Sequence, residues 1–230
     1  MAGQAKGAQA VNDGPAYSIT RRGGRVYEVP AEVGYDAETV PSVTTVLKQV
    51  ASPQLERWSR GKCAELAITS AADGRLQAWL GQGEDVARRH IADAPFTERD
   101  TAGSVGSAVH KYLEAYLRGE ELPQLIGPHL DAAQHAITAF SDLGITPGAD
   151  GMLTEATCWG QIDGMPYAGA LDLMATATIG GRQRHVLADV KTSRTTAGMR
   201  GWAAQIAAYR SAEYVVLADG SIGPMPATDG

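Results

Sequence analysis

LTEATCWGQIDGMPYAGALDLMATATIGGRQRHVLADVKT, residues 153–192, is the stretch that decides the fold. Apolar and β-branched residues dominate its three runs, 153–161, 167–178 and 185–192, which are divided by Asp163-Gly164 and Gly180-Gly181. Such dipeptides are typical of hairpin turns, because glycine readily adopts the positive φ that a tight turn requires. The stretch therefore predicts three strands that form a meander.

The residues on the N-terminal side predict a hairpin followed by helices. Residues 17–20 and 26–29 flank the sequence Arg-Arg-Gly-Gly-Arg, which predicts a small β-hairpin. Ser42 is a suitable N-cap for a short helix that continues to about residue 50, and Pro53 suits the start of a longer helix. The region from there to residue 100 is predicted to be helical.

Three further helices and one strand are predicted around the meander. Thr101 or Ser104 is expected to cap a helix with apolar residues at three- and four-residue steps, ending at Gly119. Apolar periodicity over residues 130–143, between Pro128 and Gly144, predicts a second helix. After the meander, residues 199–212 predict a helix and residues 214–218 predict a strand.

The order of helices, strands, helix and strand predicts an α/β or α+β core with an N-terminal helical section. A chain of 230 residues is long enough for one substantial core. We expect a disordered leader at 1–15, a hairpin and helical section at 16–100, the core at 101–218 and a flexible tail at 219–230.

Composition narrows the classes of function. The net charge of -6 argues against a generally basic protein, yet residues 182–210 carry six basic residues and one acid, which suits contact with phosphates. The two cysteines, Cys63 and Cys158, fit neither a disulfide framework nor a paired zinc or iron–sulfur site. We find no apolar run of membrane-spanning length and no signal-peptide core, so we expect a soluble, cytoplasmic protein.

The third predicted strand carries an Asp-x-Lys triplet. Because strand side chains alternate, Asp189 and Lys191 would point to one face and the apolar Val190 to the other. A phosphodiesterase needs this pair, since the carboxylate holds Mg²⁺ and the ammonium orients or helps deprotonate the attacking water. The triplet also arises by chance, so it indicates this chemistry only together with other residues.

Asp172 is an acid inside an otherwise apolar run. Burying an unpaired carboxylate is costly, so some group must compensate its charge. If the second and third strands pair, Asp172 and Asp189 can converge on one cation. The alternative is that Asp172 caps a bulge or forms a salt bridge with Lys191.

Histidine and glutamate side chains supply further candidate ligands. Gly106, His110 and Glu114 are spaced four apart and share one helix face, where the imidazole would complete the metal site. The alternative for His110 is an ordinary packing residue. Glu155, on the first strand, is expected to be a ligand, a residue that supports a ligand, or an edge residue that faces water; we rank it below the other acids.

The helix after Asp-x-Lys also carries candidate residues. Gln205 and Tyr209, four apart, present an amide and a phenol suited to holding a phosphate or the lysine, although packing explains Tyr209 almost as well. Arg194, Arg200 and Trp202 are the expected DNA contacts, since cationic and aromatic side chains bind nucleic acid.

Taken together, these residues resemble a nuclease family, the RecB-type branch of the PD-(D/E)xK superfamily. The matching string is Gly106-x-x-x-His110-x-x-x-Glu114, Glu155, Gly169-x-x-Asp172, Asp189-Val190-Lys191-Thr192-Ser193 and Gln205-x-x-x-Tyr209. Residues 41–47, PSVTTVL, with Leu55 and Trp58, look like the N-terminal helical section of phage-encoded exonucleases of this branch.

The resemblance implies a restriction-endonuclease-like core, with a central mixed β-sheet flanked by helices. It implies Mg²⁺ or Mn²⁺ held by His110, Asp172 and Asp189, with Lys191 as the catalytic lysine. The substrate would be linear duplex or single-stranded DNA, cleaved by an exonuclease in recombination, repair or phage replication. A recombination or single-strand-annealing protein is an expected partner. Related nucleases with an iron–sulfur cluster use four cysteines, so we predict no cluster here.

Two other functions remain open at this point. One is a recombination or packaging accessory that binds DNA ends without cleaving them. The other is a metal-dependent hydrolase of small phosphorylated metabolites. The intact Lys191 argues against the first, and the arginine-rich stretch argues for a polymeric substrate over the second.

Overall fold

Three short strands near the N-terminus form an antiparallel sheet. The computed structural model describes residues 15–21, 23–50, 53–192 and 198–229. In it β1 (Ser18–Arg21) pairs with β2 (Gly24–Glu28), which in turn pairs with β3 (Thr39–Pro41). The predicted hairpin is confirmed. The third strand was not predicted, because a three-residue run is too short to show the alternation that identifies a strand.

The next residues form three helices, where the sequence predicts a short helix, a longer one from Pro53 and a helical region to residue 100. Helix α1 (Val43–Leu47) begins after Ser42, whose side chain accepts a 3.0 Å hydrogen bond from the Thr45 N–H. This bond satisfies one of the free N–H groups of the first helical turn. Helices α2 (Pro53–Ala72) and α3 (Arg75–Gln82) follow.

Helix α4 (Glu84–Arg118) is a continuous helix of 35 residues, so the prediction of a new helix at Thr101 or Ser104 is wrong. Both hydroxyls instead donate to carbonyls of the preceding turn, to Thr97 at 2.9 Å and to Thr101 at 2.8 Å. Hydroxyls at mid-helix commonly bond in this way, and they cap nothing there. The expected boundary at residue 100 therefore falls inside α4. Within the described ranges, no helix is both long enough and apolar enough to cross a membrane.

The remaining elements supply the main sheet and its helices. In chain order they are α5 (Pro128–Asp142), β4 (Leu153–Ile162), β5 (Met165–Ile179), β6 (Arg182–Ala188), α6 (Met199–Arg210), β7 (Tyr214–Val216) and β8 (Ile222–Pro224). The five strands lie in the order β6-β5-β4-β7-β8. The predicted meander is thus β4-β5-β6, and the α+β class is confirmed.

Pairing within the main sheet differs from the mixed arrangement that the resemblance implies. In the part of the chain that the structure describes, each ladder of this sheet is antiparallel. A parallel contact occurs as an isolated bridge between Ser42 and Ala168, which ties the start of α1 to β5. The expectation of a mixed sheet is therefore corrected to an antiparallel one.

The C-terminal segment contributes to the sheet at both edges. Strand β8 lies in the region expected to be a flexible tail, so that expectation is corrected for residues 222–224. Further on, the Asp229 N–H donates to the His185 carbonyl at 2.8 Å, and the His185 N–H donates to the Asp229 carboxylate at 2.6 Å. These bonds cover part of the free edge of β6, which would otherwise offer unpaired groups to another chain.

Three apolar clusters hold these layers together. Helices α4 and α5 pack on one face of the sheet, and the buried residues there include Val109, Leu113, Phe140, Leu173 and Ala175. Helices α1 and α6 pack on the other face, with Val43, Leu171, Met174 and Tyr209. The small sheet adds Tyr27 and Val40 against Trp159 and Ala168. The main sheet is therefore covered by helices on both faces, and α4 places His110 against the sheet.

Candidate metal centre

Three side chains from distant parts of the chain converge beside the main sheet. His110 comes from α4, Glu155 from β4 and Asp172 from β5, and one ligand atom of each lies within 4.8 Å of the others. The His110 Nδ1 atom is 3.1 Å from Glu155 Oε1 and 3.7 Å from Asp172 Oδ1. All three side chains are mostly buried, with 26%, 24% and 13% of their surface exposed.

Glu155 and Asp172 lie at neighbouring positions of β4 and β5. The pairs Thr154–Leu173 and Ala156–Leu171 flank them, and the ladder has no regular pair at their own position. Two like charges directly opposite each other destabilise an antiparallel pair. The backbone of Glu155 also has a φ of 47°, in the left-handed region that non-glycine residues rarely occupy. Local strain of this kind persists where the surrounding fold enforces it, and it is frequent at functional sites.

The regular alternation of the two strands breaks at this pair. Leu153 and Ala156, three positions apart on β4, both belong to the cluster under α1 and α6. The same holds for Leu171 and Met174 on β5. In a regular strand, residues three apart point to opposite faces. The strands therefore change phase on either side of Glu155 and its partner, and this change directs both carboxylates towards α4.

The neutral form of His110 directs a lone pair at the two acids. Its Nε2 atom lies 3.1 Å from the carbonyl oxygen of Val190, which can only accept, so Nε2 carries a proton. In a neutral imidazole Nδ1 is then an acceptor, and it faces the carboxylates of Glu155 and Asp172. Three acceptors that face one another need a proton or a cation between them. A histidine that donates its second N–H to a backbone carbonyl is typical of metal sites.

The pKa values at the site reflect the same excess of acceptors. The hydrogen bond to Glu155 raises the pKa of His110, and the negative charges of Asp172 and Glu155 act in the same direction. Burial raises the pKa of Asp172 to about 6, with further contributions from the negative charges of Asp189 and Glu155. Without a bound cation, the site therefore attracts protons near neutral pH.

The Asp-x-Lys segment lies beyond the end of the sheet. Strand β6 ends at Ala188, whereas the sequence predicts a strand to residue 192. The Val190 N–H donates to Asp172 Oδ2 at 2.6 Å, so this side chain takes the bond that a backbone carbonyl of β5 would accept in a regular ladder. The predicted strand is therefore too long, but the predicted alternation is confirmed. Val190 packs under α4 and α5, whereas Asp189 bonds Gln205 of α6 and pairs with Lys191.

Asp189 does not belong to the group formed by His110, Glu155 and Asp172, and its carboxylate has other partners. One carboxylate oxygen forms an ion pair with the Lys191 ammonium, and the other accepts a 3.2 Å hydrogen bond from Gln205 Nε2. The carboxylate is nearly buried, with 4% of the side chain exposed. The group that comes together thus contains Glu155 and not Asp189, whereas the sequence predicted His110, Asp172 and Asp189 as ligands.

Gln205 and Tyr209 on α6 support the Asp-x-Lys segment. Gln205 Nε2 donates to the Tyr209 hydroxyl at 3.0 Å as well as to Asp189, and both α6 side chains are buried. Gly169 lies directly against the Tyr209 ring, and any side chain there would collide with it. The sequence predicted that Gln205 and Tyr209 hold either a phosphate or the lysine. The contacts agree with the second role, because Gln205 bonds Asp189, which pairs with Lys191.

Gly106 and Glu114 lie on the same face of α4 as His110. A Cβ atom at Gly106 would be 3.3 Å from the Thr192 hydroxyl, so the glycine lets α4 approach the segment that follows Lys191. Glu114 forms a 2.8 Å ion pair with Arg118, and burial raises its pKa. It lines the cleft but does not belong to the group of three.

The cluster opens into a cleft of about 1120 Å³. The cationic side chains that line it are Arg25 from β2 and Lys111 and Arg118 from α4, none of which we predicted as a DNA contact. Of the predicted contacts, Arg194 lies outside the described residues, and Arg200 and Trp202 do not line this cleft. Trp202 instead packs over Gly198.

Nothing among protein-family models, curated proteins or solved structures matches the chain. The fold and the geometry of the cluster are therefore the observations from which a function is inferred.

Proposed function

We propose that the chain is a nuclease that depends on a divalent metal and hydrolyses phosphodiester bonds in DNA. The observation that carries the proposal is the convergence of His110 Nδ1 with the carboxylates of Glu155 and Asp172, a group of three that a proton or a cation must hold together. Buried acids remain charged at such a position only when a cation compensates them.

The donor set fits Mg²⁺ or Mn²⁺. Both ions prefer carboxylate oxygens, and Mn²⁺ also accepts imidazole, whereas no thiolate, the preferred ligand of softer metals, belongs to the group. His110, Glu155 and Asp172 would hold the ion. When bound, it would stabilise the negative charge that develops on the phosphate and lower the pKa of the attacking water.

The other residues of the site support hydrolysis by positioning Lys191. Its ammonium is paired with Asp189, which Gln205 holds in place by a hydrogen bond. The preceding residue, Val190, is bonded through its N–H to Asp172 and through its carbonyl to His110. The backbone next to Lys191 is therefore anchored to two of the proposed ligands, while its ammonium pairs with Asp189 and does not line the cleft. In the proposed reaction this charge would turn to the substrate, to orient the attacking water or stabilise the phosphate in the transition state.

The proposal is tested by cleavage of DNA by the purified protein with Mg²⁺ or Mn²⁺. We expect His110→Ala, Glu155→Gln and Asp172→Asn each to lower the rate by more than about a hundred-fold, since a metal ion contributes several kcal/mol to the transition state. His135→Ala and Asp142→Asn, which change exposed residues of α5, serve as matched controls. Unaltered cleavage by the three site variants, or no cleavage by the parent protein with either metal, would contradict the proposal.

Action from DNA ends, as in the exonucleases that the motifs resemble, is part of the proposal. Linear and covalently closed circular DNA of one sequence distinguish it from internal cleavage. An exonuclease degrades the linear form and leaves the circle intact. Degradation of both forms at equal rates would indicate an endonuclease.

A further inference from the structure

The walls of the cleft carry more acids than bases. The carboxylates that line it are those of Glu114, Glu120, Asp150, Glu155 and Asp172. The cations are those of Arg25, Lys111 and Arg118, besides His110. A polyanionic strand entering this cleft needs positive charge in addition to the proposed metal, since a negatively lined cleft repels it.

The Arg118 side chain is bound by other residues of the protein. Its guanidinium forms a 2.8 Å ion pair with Glu114 and donates to the Thr154 hydroxyl at 2.9 Å. These contacts tie α4 to β4 and use the guanidinium in the protein's own packing. Arg118 is therefore a poor candidate for a substrate contact.

Arg25 occupies a position that the fold fixes firmly. Its carbonyl accepts a 3.1 Å hydrogen bond from the Ser42 N–H and another of 3.1 Å from the Thr45 hydroxyl, both at the start of α1. Within β2 it is also paired with Thr20 of β1. The backbone that carries the guanidinium is thus held from two sides.

The Arg25 side chain itself is exposed and lies one side chain away from the cluster. It lines the cleft together with Tyr27 and Glu155, and its positive charge lowers the pKa of the Tyr27 hydroxyl while the Glu155 charge raises it. Among the residues that the structure describes, no carboxylate lies within ion-pair distance of Arg25. The guanidinium is therefore available to an anion in the cleft.

We propose that Arg25 binds a backbone phosphate of the substrate strand next to the phosphate that is cleaved, so that the substrate is an oligonucleotide with at least two phosphates. This inference rests on the proposed nuclease activity. A guanidinium suits the role because its fork of N–H donors matches two phosphate oxygens, and such charge-assisted bonds are strong. The small N-terminal sheet is then part of the substrate site, and a metabolite with a single phosphate would not use it.

The experiment compares two substrates of different length. One is a single-stranded 20-nucleotide DNA, and the other is bis(4-nitrophenyl) phosphate, which has one phosphate only. We expect Arg25→Ala to lower kcat/KM for the DNA by about ten-fold to a hundred-fold, the usual range for a lost hydrogen bond to a charged group. Its kcat/KM for the small diester should stay within about two-fold of the parent. Arg25→Lys, which keeps the charge but loses the fork, should be intermediate.

Arg21→Ala is the matched control, because Arg21 is exposed in the same small sheet and does not line the cleft. If Arg25→Ala unfolds at the same Tm as the parent, the variant is folded. The inference is overturned if Arg25→Ala cleaves DNA as fast as the parent, or if it loses activity equally on both substrates. If the parent cleaves neither substrate, the proposed function fails instead. Fluorescence anisotropy of labelled DNA with Ca²⁺ then still tests Arg25, which is contradicted by equal binding of parent and Arg25→Ala.

Discussion

Asp172 is the residue at which stability and function oppose each other. Burial, with the neighbouring negative charges, raises the pKa of its carboxyl from 3.8 to about 6 in the folded, metal-free protein. Because the folded pKa lies above the unfolded one, protonation stabilises the native state. This stabilisation is present below about pH 4 and is lost as the pH rises through about 6.

Asparagine at this position should make the metal-free protein more stable. Asp172→Asn keeps an acceptor for the Val190 N–H, adds a donor towards Glu155 and removes the buried charge. At pH 8 we expect a gain on the order of 3 kcal/mol, since each pKa unit corresponds to about 1.4 kcal/mol. Thermal unfolding with a chelator measures the gain, at roughly 2–4 °C in Tm per kcal/mol for a chain of this size.

The pH dependence provides the check on this prediction. At pH 5 the parent carboxyl is largely protonated, so the advantage of Asp172→Asn should shrink. Asp142→Asn, on the exposed end of α5, should show no gain at either pH. A loss of stability in Asp172→Asn at pH 8, or a gain of equal size at both pH values, would contradict the assignment of Asp172 as an uncompensated buried acid.

Two of the three proposed ligands were predictable from the sequence and the role of the third was underestimated. Asp172 stands out as an acid in an apolar run, and His110 follows from its helical spacing to Gly106 and Glu114. Glu155 was given a lower rank, although a two-residue turn at Asp163-Gly164 fixes a register whose pairs flank Glu155 and Asp172. Counting outward from that turn would have identified the pair.

The separation of Asp189 from Asp172 was not predictable in this way. Asp189 lies on the α6 side with Leu187, as alternation predicts, whereas the change of phase in β5 turns Asp172 towards His110 of α4. A pattern of alternating residues does not show where a strand changes phase. The alternative that Asp172 pairs with Lys191 is also not observed, since Lys191 pairs with Asp189.

Helix α4 continues through a sequence that favours a break. Residues 101–107, TAGSVGS, combine hydroxyl residues with two glycines, and each glycine in a helix interior costs about 1 kcal/mol relative to alanine. Packing outweighs these propensities, because Val109 and Leu113 are buried in the main core and the N-terminal half of α4 packs on α2 and α3. Local propensity therefore failed to predict this helix, although its apolar periodicity succeeded.

The two glycines of this segment should respond differently to substitution. A Cβ at Gly103 would meet nothing within 4 Å, so Gly103→Ala should raise the free energy of unfolding by about 1 kcal/mol and leave cleavage unchanged. A Cβ at Gly106 would press on the Thr192 hydroxyl at 3.3 Å. Gly106→Ala should therefore gain less stability and, by moving the segment after Lys191, lower the rate of cleavage.

Urea unfolding and the DNA cleavage assay measure both effects. Each variant is the matched control for the other, because the substitution and the helix are the same. Equal stability gains together with equal cleavage rates would show that the close approach of α4 to Thr192 has no functional consequence.

At the scale of the whole molecule, the candidate site exists only in the folded state. Its ligands are contributed by α4, β4 and β5, and the elements on both faces of the sheet hold these three in register. The α+β class and the meander were predictable, because they depend on local periodicity and turn residues. The pairing of β7 with β4 was not, since it joins segments that are distant in the chain. Strand β8 was not, because a three-residue run is too short to show alternation.

A cation that binds this folded site but not the unfolded chain stabilises the native state. The most direct measurement of the central claim is therefore isothermal titration of Mn²⁺ into the parent, Glu155→Gln and Asp189→Asn. We predict that Glu155→Gln weakens binding by at least about ten-fold, since one charged ligand is lost. Asp189→Asn should bind Mn²⁺ nearly as tightly as the parent while cleaving DNA more slowly. Normal binding by Glu155→Gln together with lost binding by Asp189→Asn would contradict the proposed ligand set.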